Sequence, residues 1–486
     1  MSSSSSKSNG GNVSSAPIAH ANLIFALIIA AAFLDIVDFS IIQIALPTIR
    51  DQFAISLADA QWIVGSYGLT LAGFLLLSGR AGDIYGQKKL FIFGVVLFSV
   101  ASLTGGLAPS LISLVVSRAV QGIGAAISTV TSLAIFTQIF PEGKARNKAL
   151  GLFVAVLSAG FAAGSLTGGV LTAAFGWRSV MFVNVPIGII TALLSVRYLP
   201  STGGLASESG LDLAGALSST AGILLLVYGL TNAASFGFAS FSTIIPLVIS
   251  VVILAGFIYT ESRSKAPLVP IRFLRRGVFL AANIIALIVA AASGGLGFLV
   301  TIYMQQVLGY SPLVTGIAFL PSAAVFLVVG GWGAPWFVGR LGIKRVLFLS
   351  LALIIAGNVL LTQISANGSF LDIEPGSILW ALGASLGFPA LFIAALSGTP
   401  HGEEGLASGL ITTSQRVGFP LGLAVLVTVA SLSTPEVISG QNVGLTAIVL
   451  GFRYAFVAST ILSVVGLLLV FIIKESNTQS SQAVPV

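Results

Sequence analysis

The chain of 486 residues predicts an all-α polytopic membrane protein with 14 transmembrane helices, and three observations carry that reading. Hydrophobic residues make up 56% and charged residues only 8%, against about 25% charged in soluble domains; the mean hydropathy is +1.05. A spanning helix needs about 20 mostly apolar residues, and fourteen such runs follow one another along the chain. With the amino terminus placed inside, 17 of the 22 Lys and Arg fall in the even-numbered connections or the tails. That is the positive-inside pattern, with both termini cytoplasmic.

Only Arg50, Arg178 and Arg453 fall on the opposite side, while Arg118 and Arg416 lie within runs. The net charge of +7 is therefore a topology signal and not a nucleic-acid footprint. Anionic lipid head groups are its secondary partner. The absence of cysteine excludes disulfides and thiolate metal sites. His20 and His401, at the edges of apolar runs, are too few for a metal cluster, so neither a metal nor a cofactor is expected.

Residues 1–20, with a serine run and little apolar content, read as a disordered tail. A cleaved signal peptide does not fit, because the following apolar run is too long and is interrupted by acids. That first run, 23–47, contains FLDIVDFSIIQIALP with Asp35 and Asp38. Runs 60–79 and 90–108 are joined by GRAGDIYGQKKL. Run 110–138 holds Arg118, run 147–175 is glycine-rich, and run 179–199 closes a group of six.

The polar linker PSTGGLASESG (200–210) leads to runs 212–231 and 241–260. The basic, proline-bearing ESRSKAPLVPIRFLRR (261–276) then leads to 277–306, 313–338, 345–364, 375–398, 405–433 and 452–474. The predicted organisation is a first six-helix bundle over 21–200, linkers with two inserted spans over 201–276, a second bundle over 277–474, and a tail over 475–486. A weak repeat agrees: 256 residues after GRAGDIYGQKKL stands PWFVGRLGIKRV, which aligns Gly86 with Gly342, Lys88 with Lys344 and Lys89 with Arg345. Repeated halves are the build of many secondary transporters, with the substrate site at the midplane between them.

Several stretches carry more than composition. LVVSRAVQGIGAA (114–126) puts Arg118, Gln121 and Gly122 on one helical face. An arginine well inside an apolar span is costly unless it is paired or faces water, the alternative being to snorkel to the interface. Gly151, Gly160, Gly164, Gly168 and Gly169 allow close helix contact in the fifth run. GLASGLITTSQRVGFPLGLA (405–424) has Ser414, Gln415, Arg416 and Gly418 at its polar core.

On these stretches the chain resembles the major facilitator superfamily, and its fourteen-span layout resembles the drug:proton antiporter branch of it. The loop matches G-x-L-x-D-R-x-G-R-K at Gly79, Asp83, Gly86 and Lys88, with Ala81, Ile84 and Gln87 as departures. The fourth run matches L-x-x-x-R-x-x-Q-G-x-G-A-A throughout. The fifth matches the spacing of the antiporter glycines, with Ser165 in place of the proline, and GWRSVMFVNVPIG (176–188) also looks like this branch. In the first run Asp38, Ser40, Gln43, Ala45, Leu46 and Pro47 occupy D-x-T-x-x-N-x-A-L-P, and Asp35 is an addition.

The resemblance implies a six, two and six helix bundle that moves a small molecule against protons by alternating access, as a monomer in the cell membrane. It implies a conformational latch at Gly79, Asp83, Gly86 and Lys88, and packing of the fifth span against the other half. Asp35 and Asp38 share a helical face, and two close carboxylates cannot both ionise cheaply in a medium of low dielectric. Asp38, with or without Asp35, is therefore expected to carry the coupling proton, with Arg118 biasing it, and Gln43, Gln121, Gln415 and Arg416 are expected to line the cavity. Asp212 sits at a span entrance, and the remaining acids are expected in loops or tails. No HExxH, GxGD or nucleophile with a matching histidine and acid is present, so an enzyme is not expected. A dedicated metabolite exporter and an uptake symporter of the same fold stay open.

Overall fold

Helices account for all regular structure in the computed structural model, which describes residues 20–140, 144–200, 213–263, 277–397, 399, 404–432 and 444–472. Spans 1 to 5 are Ala21–Phe53, Leu57–Tyr85, Gln87–Gly106, Leu111–Ile139 and Lys144–Phe175. Span 6 is broken into Arg178–Phe182 and Asn184–Tyr198. Spans 7 and 8 are Leu213–Phe236 and Phe241–Arg263.

Span 9 comprises Gly277–Gly294, Leu296–Ile302 and a π-helical turn Tyr303–Val307. Span 10 runs through Pro312–Ala318, Leu320–Val325, a π-helical Phe326–Gly333 and Ala334–Leu341. Spans 11 to 14 are Ile343–Leu361, Phe370–Leu396, Glu404–Leu432 and Leu445–Val470. Thirteen spans are long and apolar enough to cross a bilayer, and span 5 adds the apolar stretch Ala159–Phe175. The predicted tails and most of both linkers lie outside the described residues.

Two boundaries move in ways that matter. Span 1 continues past Pro47 to Phe53, although proline removes a helix bond; beside the break, Ile44 O accepts from Gln305 Nε2 of span 9 at 2.9 Å. Span 12 begins at Phe370 and not at 375, because the Asp372 carboxylate accepts from the Ser369 N–H at 2.6 Å and caps the helix before Pro375. That earlier start brings Glu374, expected in a loop, inside the span as a buried acid.

Odd-numbered spans run away from the end that holds His20. Lys88, Leu199, Lys344 and Phe471 share this near end, and Gln52, Ala108, Arg178, Ile364 and Arg453 the far end. The repeat is visible in hydrogen bonds. Lys88 Nζ donates to Leu199 O, just past span 6, at 2.7 Å, and Lys344 Nζ to Phe471 O, just past span 14, at 3.4 Å.

At the far end, Arg178 Nη2 donates to Ala108 O at 3.1 Å and Arg453 Nε to Ile364 O at 2.8 Å. Asn184 donates to Ser102 Oγ at 3.2 Å, and Asn358 to Ser459 Oγ at 2.8 Å. One offset of 256 residues relates Lys88, Ser102 and Ala108 to Lys344, Asn358 and Ile364, and one of 275 relates Arg178 and Asn184 to Arg453 and Ser459. Gly86 and Gly342, with φ of 90° and 80°, make the same tight turn in each half, a conformation in which a Cβ would be strained.

The halves meet at the far end through spans 1, 5, 9 and 10. Arg50 Nη1 of span 1 donates to Gln306 Oε1 of span 9 at 2.5 Å. A Cβ on Gly169 of span 5 would stand 2.7 Å from Pro312 O of span 10. Span 7 is wedged against spans 2 and 13: Thr220 Oγ1 donates to Gly73 O at 2.7 Å, and Ala216 packs with Leu77 and Leu410. Span 8 rests on span 7, with Ser250 Oγ donating to Gly222 O at 2.8 Å, and only 11% of its most apolar stretch is buried. The pair is thus a peripheral addition to two repeated groups of six, as the layout predicts.

Candidate functional site: a buried charge network

Asp38 lies half-way along span 1 and is fully buried. Its Oδ2 pairs with Arg118 Nη1 at 2.5 Å, and its Oδ1 accepts from Gln121 Nε2 and Asn184 Nδ2, each at 2.8 Å. Arg118 is equally buried; its Nη1 also donates to Gln121 Oε1 at 2.7 Å, its Nε donates to Ile63 O at 3.2 Å, and its guanidinium sits 4.3 Å above the Tyr67 ring. The sequence of span 4 explains the approach. Gly122 follows Gln121, and a Cβ there would lie 2.3 Å from Tyr67 O, so glycine lets spans 2 and 4 close until Arg118 reaches span 1. The guanidinium is therefore paired and does not snorkel to an interface.

Asp35, one turn toward the near end, is also buried but has different partners. Its Oδ1 accepts from the Tyr67 hydroxyl, and its Oδ2 pairs at 2.8 Å with Arg416 Nη2 of span 13. Each carboxylate thus has its own guanidinium, a compensation absent from the local sequence. Tyr67 joins the two pairs, its ring beneath Arg118 and its hydroxyl on Asp35. The network runs without a break from Asn184 through Asp38, Arg118, Tyr67 and Asp35 to Arg416, crossing from one half to the other.

The second half repeats the frame without the charge. Where Asn184 reaches the Asp38 carboxylate, Ser459 donates to the backbone carbonyl of Ala292 at 2.7 Å.

The other predicted residues spread out. Gln43 is buried, donates to Phe39 O at 3.3 Å and faces Gly297 of span 9; Gln415 is half-buried beside Arg416. Gly160, Gly164 and Gly168 all pack on span 1 of their own half, against Ile36, Ser40 and Ile41, and only Gly169 meets span 10 across the interface. The surroundings of Gly151 lie outside the described residues. In the loop, Gly79 packs near Val130, Asp83 accepts from Gln87 Nε2 at 3.2 Å, Gly86 makes the turn, and Lys88 caps span 6.

Sequence reasoning missed Asn184, Tyr67, Ser102 and Glu374. Asn184 stood within GWRSVMFVNVPIG, where an asparagine two residues before a proline inside an apolar run was a usable signal. Tyr67 and Ser102 offered none, since both residue types are ordinary in apolar helices. Glu374 was hidden by the proline after it.

The profile of the Major Facilitator Superfamily matches residues 28–423. The chain belongs to this superfamily of membrane transporters. It is 36% identical over 416 residues to the cephamycin export protein CmcT of Amycolatopsis lactamdurans, covering 84% of this chain and 85% of that one. The multidrug resistance protein Stp of Mycobacterium tuberculosis is 33% identical over 394 residues, covering 81% and 73%. Among solved structures, a bacterial homologue of the human lysosomal transporter Spinster, inward-facing and unoccupied, aligns with a TM-score of 0.64 at 18% identity over 93% of this chain and 96% of that one. This last likeness concerns the fold.

Proposed function

We propose that this superfamily member is a proton-coupled exporter that expels lipophilic or cationic small molecules in exchange for protons, with both termini in the cytoplasm of the cell whose plasma membrane it spans. The observation that carries the reading is the fully buried Asp38–Arg118 pair at the middle of span 1. A buried ion pair is weak as a stabilising device and strong as a switch, because neutralising one partner strands the other. Proton arrival at Asp38 leaves Arg118 to its remaining partners, Gln121, Ile63 O and the Tyr67 ring. Tyr67 passes the change to Asp35, whose pairing with Arg416 spans the two halves. Substrate and proton then bias the same rocking motion in opposite senses.

A panel of lipophilic cations, added to energised everted vesicles, tests this through substrate-induced collapse of the pH gradient. Wild type is expected to release protons on substrate addition and Asp38→Asn to release none. Full substrate-driven release by Asp38→Asn would remove Asp38 from coupling. A second reading, export of one dedicated metabolite, is favoured by the likeness to a cephamycin export protein; proton release by a single compound of the panel, or by none, would favour it.

A further inference from the structure

The second half carries one acid that the network above does not use. Glu374 of span 12 is only 6% exposed, and its Oε1 has no hydrogen-bond partner among the described residues. Ser322 of span 10 approaches the carboxylate, and Ser377 stands one turn along on the same face of span 12. Both serines are at least 97% buried, and Ser377 Oγ has no hydrogen-bond partner among the described residues.

Among the described residues, every cation near enough to matter is committed elsewhere or remote. Span 12 packs against spans 9, 10, 11 and 13. Their ionisable groups are Tyr303, Arg340, Lys344, Arg345, Glu404 and Arg416. The Tyr303 hydroxyl donates to Ser365 O at 2.6 Å, and Arg416 pairs with Asp35. Arg340, Lys344, Arg345 and Glu404 belong to the near end, whereas Glu374 lies close to the far end. On its own helix Asp372 is occupied as a cap, and at the far end Arg453 donates to Ile364 O and Gln363 O.

A buried carboxylate with no counter-charge is costly as an anion and far less so as a neutral acid. Solvent is within reach for exchange, since Glu374 follows Phe370 by four residues, about 6 Å along the helix. The two hydroxyls can both donate and accept, which suits them to pass a proton or to hold the acid. We propose that Glu374, with Ser322 and Ser377, forms a second, exchangeable proton site in the C-terminal half, separate from the Asp38–Arg118 network.

Infrared difference spectra of the full-length protein in liposomes, recorded without substrate as the pH is raised, test the site. The expected result is loss of a protonated-carboxyl carbonyl band that shifts on incorporation of isotope-labelled glutamate. The band should persist in Asp38→Asn and in Glu261→Gln, the latter controlling for another buried glutamate. It should be absent from Glu374→Gln. Glu374→Asp keeps the acid and covers the case in which Glu374→Gln does not fold: its band should lose sensitivity to glutamate labelling. A wild-type protein with no such band, a band retained in Glu374→Gln, or one still sensitive to glutamate labelling in Glu374→Asp would each overturn the proposal. Because no substrate is added, the outcome is independent of whether the antiport reading holds.

Discussion

At the scale of the residue, Asp38 and Arg118 stand or fall together. Removing one partner of a buried ion pair leaves the other charged and unmatched, at a cost of about 3–5 kcal/mol. Asp38→Ala is therefore expected to lower the thermal unfolding midpoint strongly in detergent, while Asp38→Asn combined with Arg118→Gln recovers most of the loss and still fails to transport. A double variant no more stable than Asp38→Ala would show that the pair is not the source of the cost. Asp35→Asn should behave differently. Its partner Arg416 keeps 24% of its side chain exposed, so the stranded guanidinium can be hydrated, and the expected stability loss is about 1 kcal/mol or less.

At the scale of the element, span 5 holds span 1, and hence Asp38, in place through glycines one turn apart. A Cβ on Gly164 would lie 1.9 Å from Ser40 Oγ and 2.8 Å from Val37 O, whereas one on Gly160 would meet the Ile36 side chain at 3.1 Å. Backbone cannot yield as a side chain can. Gly164→Ala is expected to destabilise by about 1–3 kcal/mol and to impair transport. Gly160→Ala should be near neutral, since alanine regains about 1 kcal/mol of helix propensity. Paired thermal unfolding of the two variants checks this, and equal losses would refute the assignment of the Gly164 face to span 1.

At the scale of the whole molecule, the far end is held shut by side chains from both halves. Arg50 donates to Gln306, Gln305 donates to Ile44 O, and Gly316 of span 10 sits against Ser165 O of span 5. Gln43 lies behind this closure on span 1. The chain has no cysteine, so Gln43→Cys supplies a single reporter without background. Labelling by an impermeant maleimide presented from the far-end side should be slow, and should quicken several-fold when Arg50→Ala is added. An unchanged rate would mean that the Arg50–Gln306 contact is not part of the barrier.

The fold was legible almost in full, and the site in part. Apolar runs, basic connections and the price of an arginine in hydrocarbon are local properties of the chain, and partition into a bilayer depends on such local properties. They determined the membrane class, the approximate number of spans, the six, two and six layout, and the need for a partner to Arg118. Which partner each charge takes depends on helix faces that meet only in the folded bundle. Arg416 finds Asp35 from 381 residues away, Lys88 closes span 6, and three of the four matched glycines with described surroundings turn to span 1 rather than to the other half. Glu374 became a membrane acid because a cap formed five residues before it. Composition decides that charges in a membrane must be matched; only packing decides with what.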